Sequence, residues 1–556
     1  MTTRRAVVDA LEAIAFGAEL KGDRRARSWG AAAWAIRNVQ GDLRAMLDSG
    51  ELLKVRGVGQ ASARVVQQAL AGEEPDALTR LREELPPGLF ALRRIKGLGP
   101  KKVKALYQGL RITGLAELEY ACRENRLVDL PGFGSKTQAK VLAQLESLRE
   151  TAGLLRRDQA KALLEPLAAA LRVHPGVERA EVVGDHARGM ELVAPRLLVA
   201  GPRPEAALAT RTADVRALVG TCASDRFGLV ALGLTADPEH LEALAARARA
   251  QGKLAGAEDA LDALEGAFPT AEHVYEALGL VPTAPERREP GVPLVEVGRA
   301  APALVALGDL RGALHNHTVA SDGSHSLAEM RDAAARRGLS YLAITEHSEA
   351  AAYARGLEPE RLRAQVEAIR ALNEASDGAC VLLTGIESDI LRDGSLDYDD
   401  ATLAGLEVVV ASVHRRHGQG RDEMTARMVR AAHNPRTAVI GHPTGRLLLG
   451  RAPSEVDIDA LLDACLEAGC AIELNAQPQR LDLGVEHLGR ARERGVPISI
   501  AADAHSVDSL GYLEHGVAVA RRAGLRPEDV LNARALSELR AWLAARSQPV
   551  DMGPAI

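Results

Sequence analysis

The C-terminal half of the chain carries short apolar runs that lead into metal-competent side chains. GAL leads into His315 and His317, YLAI into His347, and VLLT into Glu387. VVVAS leads into His414, TAVI into His442, and ISIA into Asp503 and His505. Asp322 follows in the loop after the first run. Helical patterns such as SLAEMRDAAARRG and DALLDACLEAG lie between the runs. That βα alternation predicts a parallel sheet, closed or curled into a barrel, with its chemistry at the C-terminal strand ends. Histidine and carboxylate donors together suit Zn²⁺, Mn²⁺ or Fe²⁺. Side chains alternate along a strand, so His315 and His317 share a face and can grip one ion. Nine donors exceed the needs of one ion and suit two or three. Closely spaced ions acidify a water and stabilise attacking and leaving oxygens at phosphorus.

At 556 residues the chain is too long for a single core. Its net charge of −6 excludes a uniformly basic nucleic-acid coat, so any nucleic-acid contact must be local. Five cysteines without CxxC spacing argue against a disulfide framework or a thiolate zinc site. Asp9 and Glu12 interrupt the N-terminal apolar stretch, which reads as a helix rather than a signal peptide. No apolar run reaches membrane-spanning length. A cytoplasmic protein with no membrane contact is expected.

The N-terminal 155 residues repeat one plan three times, in VRGVGQASARVV, IKGLGPKKVKAL and LPGFGSKTQAKVL. Each has an apolar residue, then Gly-x-Gly, then the polar opening of a helix. Glycine supplies the positive φ that a tight turn needs. The turn exposes backbone N–H groups at a helix start, an anion site suited to DNA phosphate. The candidate DNA-binding residues are Gly57, Gly59, Gly97, Gly99, Lys101, Lys102, Gly132, Gly134 and Lys136. Lys104, Lys140, Arg93, Arg94 and Lys96 flank them. The plan resembles the helix-hairpin-helix motif, which grips the DNA backbone without reading sequence. Trp29, Trp34, Tyr107 and Phe133 are too few for a base-stacking platform and are expected in the core. Lys21 and Lys54 read as surface lysines.

The segment GDHARGMELVAPRLLVA (184–200) resembles the nucleotide-binding segment of family X DNA polymerases. Gly184, Arg188 and Gly189 match that pattern. Its two metal-binding aspartates fall at Pro195 and Leu197, which cannot hold an ion. Asp185 and Glu191 stand nearby, out of the family's register. The resemblance therefore implies a degenerate polymerase palm.

The order and wording of the C-terminal motifs resemble the PHP (polymerase and histidinol phosphatase) domain. That resemblance implies a distorted seven-stranded barrel with a trinuclear site. One ion would take His315, His317, Glu387 and Asp503, and a second the bridging Glu387 with His414 and His442. The third would take Asp322, His347 and His505. Glu346 departs from the usual ITDHS wording and would act on ligand orientation. Arg446 in HPTGR is a candidate phosphate clamp, with Arg415 and Arg416 as weaker ones. Asn475 is expected to touch substrate or a bridging water, and Glu473 to support the barrel wall. His325, His417, His433 and His487 read as ordinary polar contacts.

Helix-hairpin-helix repeats, a palm-like region and a PHP domain together resemble bacterial PolX proteins. The expected architecture is a multidomain α/β chain in five parts. These are an all-α 8-kDa-like domain (1–80), a helical fingers-like domain (81–156), and an α+β palm/thumb-like region (157–282). A linker (283–308) leads to a distorted (β/α)₇ PHP barrel (309–550). The resemblance implies a Mn²⁺- or Zn²⁺-dependent phosphoesterase, with Fe²⁺ compatible, holding two or three ions. It would act as a monomer on gapped, nicked, abasic or 3′-end DNA in repair, as a 3′–5′ exonuclease, AP endonuclease or 3′-phosphatase. The alternatives are a gap-filling polymerase, a small-molecule phosphatase and a non-catalytic DNA-binding scaffold.

Overall fold

The computed structural model describes residues 4–546, apart from 87, 124–125, 129, 151–152, 210, 257–259 and 377. It divides into two compact units, Met1–Ala152 and Gly153–Ile556. No helix among the described residues is long and apolar enough to cross a membrane.

The first unit is helical. Its opening helix, Arg4–Lys21, buries Val7, Leu11 and Ile14 along one stripe. One apolar cluster runs from Val7 to Leu145, so residues on both sides of position 80 share a core. The three Gly-x-Gly turns are alike. Gly57, Gly97 and Gly132 take φ of 99°, 85° and 84°. The residue between the glycines, Val58, Leu98 or Phe133, is buried in each. Gly59, Gly99 and Gly134 then accept the first helical hydrogen bonds of the next helix, from Ala63, Val103 and Gln138. The second and third hairpins are joined, because the Gln144 side chain bonds the backbone N–H and C=O of Lys96. Lys101 and Lys136 are exposed, whereas Lys102 lies over the Phe133 ring at 5.5 Å. Arg93 is occupied by Glu12 and the face of Phe16, and Lys21 pairs with Glu84. Trp34 was expected in the core but is 66% exposed. Its helix turns Ala32, Ala33, Ala35 and Ile36 inward, and helical periodicity puts Trp34 on the opposite face.

After the helix Arg157–Arg172, the second unit has a three-stranded sheet of β1 (Arg179–Val182), β2 (Leu197–Ala200) and β3 (Val219–Cys222). The central β2 pairs antiparallel with β1 and parallel with β3. Its first residue, Leu197, is fully buried in a cluster with Leu164 and Val193. Helices Phe227–Thr235, Pro238–Ala250 and Ala271–Ala277 follow, with an apolar cluster of their own. The segment expected as a linker is not a free spacer. Glu286 pairs with Arg521 at 2.6 Å, and Glu289 with Arg522 at 2.8 Å and Arg188 at 2.7 Å. Pro and charge mark it as irregular in the sequence, but each of these charges has found a partner.

The barrel strands are β4 (Gly312–Ala313), β5 (Tyr341–Ile344), β6 (Val381–Asp389), β7 (Val408–Ser412), β8 (Val439–Ile440), β9 (Ala471–Asn475) and β10 (Ile498–Ala501). They form one seven-stranded sheet in sequence order, with every neighbouring pair parallel. A bridge from Asn316 to Ala504 brings the ends of the first and last strands together. Alternation sorts the side chains. Tyr341, Ala343, Leu383, Val408, Val410 and Val439 pack together with Leu531 and Leu539. Leu342, Ile344, Leu382, Val409 and Ile440 face a second cluster with helix residues such as Met330, Met424 and Leu461. The helix Leu536–Arg546 brings Leu539 and Trp542 against the first set. A Cβ on Gly312 would overlap the buried Tyr341 ring. Gly312→Ala is therefore expected to destabilise the barrel by about 1–3 kcal/mol through overpacking, read as a lowered midpoint in thermal denaturation.

Candidate metal centre

The strand ends converge on one carboxylate. Glu387 lies on the inward face of β6 and is buried. Its Oε1 is 3.3 Å from His315 Nε2, 3.1 Å from His414 Nε2 and 3.0 Å from His442 Nε2. Its Oε2 is 2.9 Å from His347 Nδ1 and 3.7 Å from His317 Nε2. Asp503 Oδ1 stands 3.2 Å from His317 Nε2 and 3.7 Å from His315 Nε2. Asp322 Oδ1 stands 3.3 Å from His505 Nε2 and 3.5 Å from His347 Nε2. All nine candidate ligands thus meet in one cluster.

Three subsets place one donor atom each within 4.8 Å of one another: His317, Asp322, His347 and His505; His315, His317 and Asp503; and His347, Glu387 and His414. His315 Nε2, His317 Nε2 and Glu387 Oε2 are buried without hydrogen-bond partners among the described residues. Buried, convergent, unpartnered donors of this chemistry fit divalent cations. The electrostatics agree. Burial would push the Glu387 carboxyl up, but His414, His315 and His347 hold it well below the usual range. Burial opposes charge on His347 and His414, yet Glu387 and further carboxylate bonds raise them to about 10 and about 9. His317 is pushed down to about 3 by burial and by His505 and His347.

A supporting layer fixes the ligands. Glu473 Oε1 lies 2.7 Å from His315 Nδ1, and its Oε2 accepts from the His442 N–H at 2.6 Å. Asp389 Oδ1 lies 2.7 Å from His414 Nδ1. Such partners set which ring nitrogen is free to bind. Glu346 accepts from Gln365 at 3.1 Å and from the Thr318 N–H at 3.1 Å. It also accepts from the Thr318 and Ser321 hydroxyls. It therefore ties down the loop between His317 and Asp322. His442 and Asp503 take φ of 25° and 48°, a left-handed backbone that non-glycine residues seldom adopt. A Cβ on the neighbouring Gly441 would overlap Ser412 Oγ, so glycine gives the inward space to the donors.

Two expected substrate contacts have other partners. Asn475 Nδ2 donates to Asp503 Oδ2 and Glu473 Oε2, each at 3.1 Å, and its Oδ1 accepts from the Gln477 N–H at 3.1 Å. Its amide holds Asp503, a candidate ligand. Arg446 donates to the carbonyls of Arg480 (3.0 Å) and Leu481 and to Glu191 (2.8 Å). Arg415 bonds the Ala350 carbonyl. The four histidines read as ordinary have ordinary polar neighbours in Val507, Ser454, Glu467 and Arg490.

Sequence reasoning missed Asp389, Tyr353 and Arg480. Asp389 had a signal, since it sits two residues after Glu387 on the same face of β6. Tyr353 is 66% exposed, with its ring 6.2 Å from His347 and 6.5 Å from His414. In the region resembling a palm, Asp185 accepts from the Ala194 N–H at 3.0 Å, and Glu191 is taken by Arg446.

Comparison with known proteins agrees with this geometry. Residues 313–477 match the PHP domain model, and residues 90–147 match a SAM-like helix-hairpin-helix tandem. The Bacillus subtilis protein named DNA polymerase/3′-5′ exonuclease PolX is 31% identical over 97% of this chain and 99% of its own. A protein of Thermoanaerobacter sp. named as a probable phosphatase is 29% identical over 39% of this chain and 88% of its own. One from Syntrophotalea carbinolica, named likewise, is 27% identical over 39% of this chain and 90% of its own.

Replacing Glu473 by glutamine removes the charge that holds His315 and the His442 backbone. Glu473→Gln is expected to weaken divalent-ion binding about 10- to 100-fold, measured by titrating the ion into the metal-free full chain and counting bound metal.

Proposed function

The chain belongs to the PolX family and is a metal-dependent phosphoesterase, and from that premise we propose that its barrel hydrolyses phosphate esters at DNA ends in repair. The activity is of the 3′–5′ exonuclease, AP endonuclease or 3′-phosphatase type. The observation that carries this reading is the Glu387 carboxylate, within 2.9–3.7 Å of five imidazoles from four strand-end segments. A bridging carboxylate inside such a histidine shell suits two or three ions, Mn²⁺ or Zn²⁺ being the candidates, as in the expected assignment. Bound there, the ions supply an acidified water and positive charge at the phosphoryl oxygens. The protein's part is positional. Glu473 and Asp389 fix two rings, Asn475 fixes Asp503, and Glu346 fixes the loop that carries Asp322.

The substrate class follows from the rest of the polypeptide. Three turns with positive-φ glycines, each opening a helix, supply backbone N–H groups for a DNA phosphate, and Lys101 and Lys136 are exposed beside them. A small-metabolite enzyme has no use for that array. Loss of polymerase activity belongs to the same reading. Leu197 is core, Pro195 has no metal-binding group, and the nearby Asp185 and Glu191 are engaged elsewhere. The protein is read as a cytoplasmic monomer acting on gapped, nicked or abasic DNA.

The test is a gapped duplex, 5′-labelled on the strand whose 3′ end borders the gap, incubated with Mn²⁺, with and without deoxynucleotides. Wild type is expected to shorten the labelled strand and never to extend it. Asp503→Ala is expected to slow shortening about 100-fold or more. Template-directed extension would refute loss of the polymerase, and undiminished shortening by Asp503→Ala would refute the assigned site.

A further inference from the structure

Arg480 lies in the turn after β9, where its Nε is 3.7 Å from Asp503 Oδ2. Its Nε and Nη1 are buried and have no hydrogen-bond partner among the described residues. Guanidinium nitrogens taken out of water and left without acceptors are costly unless something else fills the gap. Asp503 Oδ2, its nearest acid, already accepts from Asn475. The open donors therefore suit an anion that arrives from outside. Each of these nitrogens can donate a charge-assisted hydrogen bond to a phosphoryl oxygen.

The turn that carries Arg480 is built to hold it still. Asn475 and Asp482 exchange backbone hydrogen bonds across the turn, at 2.5 and 3.1 Å. Asp482 in turn accepts from the N–H and hydroxyl of Thr444, at 3.0 and 2.9 Å. Leu448 N–H bonds the Gln479 carbonyl at 2.7 Å. Arg446 spans the carbonyls of Arg480 and Leu481, and Glu191 holds Arg446 from the palm-like region. Gly484 leaves room for that arm, since a Cβ there would lie 3.1 Å from Arg446 Nη1.

We infer that Arg480 is the side chain that contacts the substrate phosphoryl group beside the metal centre, and that Arg446 and Glu191 are positioning residues for it. The inference rests on the phosphoesterase reading and adds the residue that receives the anion. It also gives Glu191 a task outside nucleotide chemistry.

The probe is inorganic phosphate titrated into the Mn²⁺-loaded full chain by calorimetry, with bound metal counted in every sample. Arg480→Met is expected to weaken phosphate binding about 10- to 100-fold, the range for a lost charged hydrogen bond, with wild-type metal content. Arg480→Lys should recover part of the affinity. Glu191→Gln should weaken phosphate binding less than Arg480→Met does. On a 3′-phosphorylated oligonucleotide the Arg480→Met loss should appear in kcat/KM. Wild-type phosphate affinity in Arg480→Met at full metal content would overturn the assignment. So would a drop in metal content that accounts for the whole loss, because Arg480 would then serve only Asp503. Absence of phosphate binding by the loaded wild type would overturn the phosphoesterase reading along with it.

Discussion

A single carboxylate buried at the end of one strand governs the C-terminal half of this molecule. Moving an ionised carboxylate out of water costs several kcal/mol even after the surroundings relax. Glu387 is tolerable there because imidazoles from β4, β5, β7 and β8 end around it. The cluster therefore demands a sheet whose strands arrive in order and in register, which the parallel seven-stranded arrangement provides. Tyr341, Val408 and the other residues of the lower interior fill the space beneath, so the charged layer rests on an apolar floor.

Around that layer the protein supplies rigidity. Each of Glu473, Asp389, Asn475 and Glu346 bonds a ligand or the loop that bears one. His442 and Asp503 hold backbone angles that isolated peptides avoid. Strain of this kind persists where packing over-determines a position, and here it falls on two of the donors. The site is preorganised by hydrogen bonds from residues around the nine candidate ligands.

Much of this was legible from short-range pattern. The strand-end motifs named all nine candidate ligands, since period-two alternation and a strand's C-terminal end decide where a side chain points. The glycine turns showed their conformation because positive φ leaves a composition trace. What escaped reading depends on contacts distant in sequence. Arg446 was expected at a phosphate, but its partner Glu191 lies 255 residues away. Asn475 looked free at a strand end, whereas Asp503 on the adjoining chain segment takes its amide. Arg480 sits in a proline-containing turn with no motif to single it out. Trp34 failed for a local reason, because hydrophobicity was weighed without its helical phase.

The ion pairs of Glu286 and Glu289 with Arg521 and Arg522 bear on how a gene for this chain can change. The segment 283–308 looks from composition like a seam where two modules could be cut and rejoined. Its acids are instead the partners of a barrel helix, and Arg188 from the polymerase-like half shares one of them. A deletion that stops short of residue 309 would strand Arg521 and Arg522 together with Arg446. Loss of the upstream region would then harm the hydrolytic half directly. Genetic streamlining is opposed, and the upstream region would be kept for these contacts whatever its own chemistry.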